Sequence, residues 1–189
     1  MRAALRPGLW TVAVALAAAT SGSVLGAQTF LTQEEALELA FPAADSIVRR
    51  TAFLDDAQLD RARAAAGAGV DIPSGIVTHY VAVRDGRPVG VAYFDAHRVR
   101  TLPEALMIVV GPDDRIRRVE VLKFSEPPEY VAPAGWLAQF DGKGLGRDLS
   151  LKGDIINITG ATLTSGAVTA AARRVLALHA LVRPFRGAP

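Results

Sequence analysis

Val168, Ala171, Ala172, Val175, Leu178 and Val182 recur at helical spacing between Thr164 and Val182, and Pro184 stops the run. A chain that ends on so clear a helix must supply something for its apolar stripe to rest on. The same periodicity puts Arg173 and Arg174 on the wet side. Upstream, from Ile76, the period shortens and β-formers take over. Ile76 to Val83, a turn at Asp85-Gly86 and Pro88 to His97 read as one hairpin. Ala105 to Val110, a turn at Gly111-Pro112-Asp113-Asp114 and Arg115 to Phe124 read as a second. In that last segment Ile116, Val119, Val121, Leu122 and Phe124 keep no single alternation, so a bulge or a strand covered on both faces is expected.

Two more helices are expected before the hairpins. Thr32-Gln33-Glu34-Glu35 has the form of a capping box and leads a short helix into Phe41-Pro42, where proline breaks it. Ser46 to Leu54 looks extended, and Asp55 to Ala66 is charged and alanine-rich, with a cap at Asp55 or Asp56 and an end at Gly67 and Gly69. Pro127, Pro128 and Pro133 mark a loop, Gly135 to Phe140 a helical turn, and Asp141 to Gly146 a glycine-rich connection. Strands flanked by helices, without strict β-α-β alternation, predict an α+β domain: an antiparallel sheet of two hairpins packed with helices.

Residues 1–27 have the three parts of a secretory signal: Arg2 and Arg6, an apolar stretch from Leu9 to Ala19, and small residues leading to Gly26-Ala27-Gln28. Cleavage after Ala27 is the preferred reading, cleavage after Gly26 and an uncleaved anchor being the alternatives. A single domain then spans 28–189, in the periplasm or otherwise exported. The leader's two arginines, taken from the 21 basic residues of the chain, leave 19 against 19 acidic ones. A neutral domain without a basic run lacks the electrostatic footprint of a nucleic-acid binder. The chain has no cysteine, which excludes disulfides, iron–sulfur clusters, a lipobox and thioether-linked haem. Its three histidines, His79, His97 and His179, stand too far apart in sequence for a common metal motif and read as surface or core polar residues.

Ahead of the last helix stands Ile158-Thr159-Gly160-Ala161-Thr162-Leu163-Thr164-Ser165, a cluster of hydroxyls around one glycine. Helix starts leave amides free and carry a partial positive charge, so a phosphate can be held there by backbone donors, with small residues allowing its approach. Ordinary capping uses the same residue types, and the residues alone leave both readings open.

The stretch Ile158 to Val168 resembles the signature of the FMN-binding domain family, which includes the flavin-bearing G and C subunits of the Rnf and Nqr respiratory complexes. The similarity extends through Phe41-Pro42, Gly111 to Ile116, Val121 to Glu126, Trp136 to Phe140 and Gly142-Lys143. In that family a Ser/Thr-Gly-Ala-Thr run precedes the final helix, and its last threonine carries FMN through a phosphoester installed from FAD by a magnesium-dependent flavin transferase of the ApbE type. The resemblance thus implies FMN as cofactor, Thr162 as its anchor, and Thr159, Gly160, Ala161, Leu163, Thr164 and Ser165 around the phosphate. It also implies a membrane or periplasmic redox partner. Phe124, Glu126, Trp136, Phe140 and Lys143 are the candidates for the ring environment. One departure stands out. Flavinylated members often have an acid three positions before the run, where this chain has Ile156; Asp154 lies two residues earlier. Three functions follow as expectations: an exported electron carrier, a flavin-dependent reductase of a small substrate, and a flavin-free structural domain. No acid–base constellation or nicotinamide fingerprint favours the reductase.

Overall fold

The computed structural model describes residues 28–185. The expected leader lies outside the described residues. Element order is β1 (Gln28–Thr29), α1 (Gln33–Ala40), β2 (Ser46–Phe53), α2 (Asp56–Ala66), β3 (Ile76–Arg84), β4 (Arg87–Arg98), β5 (Pro103–Val110), β6 (Ile116–Phe124), α3 (Ala134–Leu137) and α4 (Thr162–Val182). The protein is α+β, with one antiparallel sheet in the order β1-β6-β5-β4-β3-β2. The two expected hairpins are β3–β4 and β5–β6. Pairing of β4 with β5 joins them, and the extended Ser46 segment adds a strand at one edge. The two-residue β1 at the other edge carries no pattern that a sequence reading could find.

Local chemistry accounts for the element ends. At α1 the Thr32 hydroxyl accepts from the Glu35 amide at 3.2 Å, while the Glu35 carboxylate accepts from the Thr32 amide at 2.7 Å. At α2, Asp55 and Gln58 repeat this reciprocal pair. Thr32→Ala is expected to cost about 1 kcal/mol, read as a lower urea midpoint at unchanged slope. The β3–β4 turn has Asp85 at φ 50° and Gly86 at φ 69°, the left-handed pair that matches the twist of a tight hairpin.

The irregular pattern of β6 has a geometric cause. Val109 and Val110 of β5 pair with Arg118 and Ile116, while Ala105 and Leu106 pair with Lys123 and Val121, so the register passes over Arg117 and Leu122. Each bulge absorbs one residue, which keeps Ile116, Val119, Val121 and Phe124 on one face despite spacings of three. Leu122 turns to the other face. Both faces of the sheet are covered, which explains the unbroken apolar run of β5. Leu106, Ile108 and Val110 meet α4 through Val168, Ala172 and Val175. Met107 and Val109 meet α1 through Ala36 and Leu37. Helix α2 lies against α4, with Ala62, Ala66 and Ala177 fully buried between them. Among the described residues no helix is long and apolar enough to cross a membrane.

The wet side assigned to α4 needs correction. Arg173 donates to the carbonyls of Ala66, Gly146 and Leu149, which ties the helix to the end of α2 and to the loop before it. Arg174 grips the Asp95 carboxylate through Nε and Nη2, each at 2.7 Å. Both arginines are half-buried, and their acceptors lie in segments far off in sequence, which helical periodicity does not register.

Candidate functional site

Helix α4 starts at Thr162, with Ala161 as its N-cap at φ −126° and ψ 43°, and no side chain caps it. The simple capping reading of the hydroxyl cluster is therefore not realised. By helical geometry the amides of Thr162, Leu163 and Thr164 have no partner within the helix. The hydroxyls divide their work. Thr164 donates to the Tyr130 carbonyl at 2.7 Å, and Ser165 donates to the Ala161 carbonyl while accepting from the Ile158 amide. These two are buried and structural. Thr162 and Thr159 are exposed, and Thr162 Oγ1 accepts from Asn157 Nδ2 at 2.9 Å. That bond leaves the Thr162 hydroxyl proton and a second lone pair available. Just upstream, Gly160 turns the chain at φ 84°, a conformation that a side chain would strain.

This helix start forms one wall of a cavity of about 510 Å³. Gly160, Ala161, Thr162, Leu163 and Thr164 line one side; Val99, Arg100, Thr101, Glu126, Pro127 and Tyr130 line the other. Free amides and a helix dipole at its mouth suit a phosphate group.

Of the ring candidates, Glu126 is in this cavity, but it is already engaged. Its Oε1 accepts from the amides of Thr101 and Leu102 at 2.7 Å each, and from the Arg100 amide and the Thr101 hydroxyl at 3.3 Å. These bonds, the Leu102 amide foremost, hold its carboxyl below the usual range. It shapes the 100–102 loop that forms the cavity wall. Trp136, Phe140, Lys143 and Phe124 are not brought to this cavity. Phe124 and Phe140 are core residues. Trp136 packs edge-on against Phe140 and donates its indole N–H to the Ile156 carbonyl. Lys143 pairs with Asp154, so that acid is committed away from Thr162. Ile156 is 74% exposed, but its backbone is pinned by Trp136 and by Gln139, which accepts from the Ile156 amide. Trp136 and Gln139 thus serve the site indirectly: they fix the strand of chain that presents Asn157 to Thr162.

Several residues around the helix start carry no signal local to the hydroxyl cluster: Asn157, which orients Thr162, and Tyr130 and the loop Val99 to Thr101, which line the first cavity. The sequence also gives little sign of a half-buried ionic chain that ends on the buried Glu104. Asp95 accepts from His97 Nδ1 at 2.8 Å as well as from Arg174, and His97 Nε2 meets Glu104 at 3.0 Å. The Asp95-x-His97 spacing on one strand face was its only readable sign. Burial works against charge on His97, but the bonds to Asp95 and Glu104 outweigh it and raise its pKa to about 9. Burial also opposes charge on Asp95, yet Arg174 and then His97 bring it down to about 2. The other two histidines are core residues: His79 stacks on Tyr93, and His179 accepts from the Tyr93 hydroxyl and donates to the Asp114 carboxylate. Among the described residues no group of His, Asp and Glu could hold a metal ion.

No curated protein matches the chain. Residues 103–177, from the start of β5 through most of α4 and including the open helix start, match the family model described as FMN-binding domain. Over residues 103–177 the chain thus carries an FMN-binding domain, and that match indicates FMN as its cofactor.

Proposed function

We propose that this protein is an exported electron carrier whose FMN is held by a phosphoester to Thr162. The observation that carries the reading is the exposed Thr162 hydroxyl at an uncapped helix start opening on a cavity. The amides of the first turn bind phosphate oxygens, and the helix dipole favours their charge. Asn157 orients the Thr162 oxygen by donating to it. The partner that installs the ester is a flavin transferase of the ApbE type. Thr162 Oγ attacks the FMN phosphorus of FAD, the pyrophosphate P–O bond breaks, AMP leaves with the electron pair, and a base of the transferase takes the hydroxyl proton. Bound FMN supplies one- or two-electron exchange. The chain's own residues bind and orient it, and among the described residues no acid–base pair beside Thr162 calls for a second substrate. Donor and acceptor are then other redox proteins of the membrane or the periplasm, and an ester keeps the cofactor from diffusing away outside the cytoplasm.

Co-expression of the full chain with such a transferase tests this. The expected result is an intact-mass increase of one FMN moiety and a fluorescent band that survives denaturation. Recovery in the periplasmic fraction is expected for the same product. A chain that takes up no flavin in any form under these conditions removes the carrier reading.

A further inference from the structure

A second cavity, of about 750 Å³, opens on the other side of Thr162. It shares Val99, Thr162 and Leu163 with the first and follows one face of α4 past Gly166 and Ala170 to Arg174, against the end of β4. The helix rise puts its two ends about 18 Å apart, room for a ribityl chain followed by a three-ring plane. The floor is clear: a Cβ built on Gly166 meets nothing within 4 Å. The far wall is the ionic chain Arg174–Asp95–His97, which continues to Glu104 behind it. Glu104 is 1% exposed, and among the described residues its Oε1 has no partner. Buried ion chains add little to stability beyond what apolar side chains of the same volume supply. A role toward whatever occupies the cavity explains its place there better.

We propose that the isoalloxazine of FMN carried on Thr162 lies in this second cavity, and that the charge balance of the His97 network sets how readily the ring accepts electrons. The inference rests on the attachment reading above. With His97 protonated, two cations face two carboxylates and the network is neutral. A neutral side chain at position 97 leaves Asp95 and Glu104 opposed by Arg174 alone. The excess negative charge disfavours electron uptake by a neighbouring ring, and low dielectric strengthens the effect.

The test uses the full chain loaded by co-expression with a flavin transferase, in four forms: wild type, His97→Gln, Ala170→Leu and Tyr130→Ala. Absorbance spectra and midpoint potentials are measured on the covalently loaded protein. His97→Gln is expected to lower the two-electron midpoint by about 30 mV, a tenfold change in the reduction equilibrium. Ala170→Leu, which narrows the second cavity from the helix surface, is expected to shift the visible flavin band, while Tyr130→Ala in the first cavity leaves it in place. If His97→Gln does not fold, the other two variants decide the matter. Loaded protein in which Tyr130→Ala moves the band and Ala170→Leu does not places the ring in the first cavity and overturns this inference alone. An unchanged potential in loaded His97→Gln does the same for the network's role. A wild type that takes up no flavin overturns the attachment reading, and this inference with it.

Discussion

Thr162→Ala is expected to lose the whole covalent FMN increment in intact mass, and the fluorescence that survives denaturation, while its unfolding midpoint stays near that of the wild type. Thr162 is exposed, and the one bond described for its side chain is accepted from Asn157. Removing a surface hydroxyl at the first position of a helix changes stability by roughly 0.5 kcal/mol or less. The backbone amides that would hold phosphate are untouched, so FMN is expected to remain as a dissociable ligand in gel filtration with added cofactor. The neighbouring hydroxyls give the contrast. Thr164→Ala and Ser165→Ala remove bonds to Tyr130, Ala161 and Ile158 from buried positions. Each is expected to cost about 1 kcal/mol and to keep the ester. A full mass increment in Thr162→Ala would place the ester on another oxygen, with the exposed Thr159 the first to replace.

That division among four hydroxyls marks where sequence reading ends. Their clustering before an amphipathic run is visible in the chain, and so is a helix start. Which hydroxyl points outward depends on the phase of α4 against the sheet, set by Val168, Ala172 and Val175 packing on β5. The fold was legible where the cause is local: the capping boxes at Thr32 and Asp55, the Asp85-Gly86 turn, and the spacings of three along β6 that signal bulges. Trp136, Phe140 and Lys143 have side chains suited to the surroundings of a flavin ring. In the fold their segment returns along β6, where the Ile116 amide donates to the Lys143 carbonyl, and it supports the site from behind. Tyr130 and Val99 reach the cavity from loops whose placement follows only from the completed sheet. The partnership of Arg174 with Asp95 spans 79 positions, beyond any helical or strand period.

That partnership has the second large expected effect, on stability and its pH dependence. Asp95 holds both Arg174 and His97, so Asp95→Ala leaves two half-buried cations without their shared carboxylate and is expected to cost about 3 kcal/mol in urea unfolding. In the wild type the histidine titrates first as pH rises. Its pKa is raised in the folded protein from 6.5 to about 9, so its contribution is complete below pH 6.5 and is lost as pH climbs through about 9. A shift of that size corresponds to roughly 3 kcal/mol. Asp95 behaves oppositely: its pKa falls from 3.8 to about 2, so its contribution is complete above pH 3.8 and is lost as pH drops toward 2. The melting temperature should therefore form a plateau between these windows, with an alkaline fall that His97→Gln removes. A wild-type midpoint that stays level from pH 6.5 to 9 would mean that the imidazolium is not held by its two carboxylates, because no other arrangement of His97 between Asp95 and Glu104 raises its pKa without stabilising the fold.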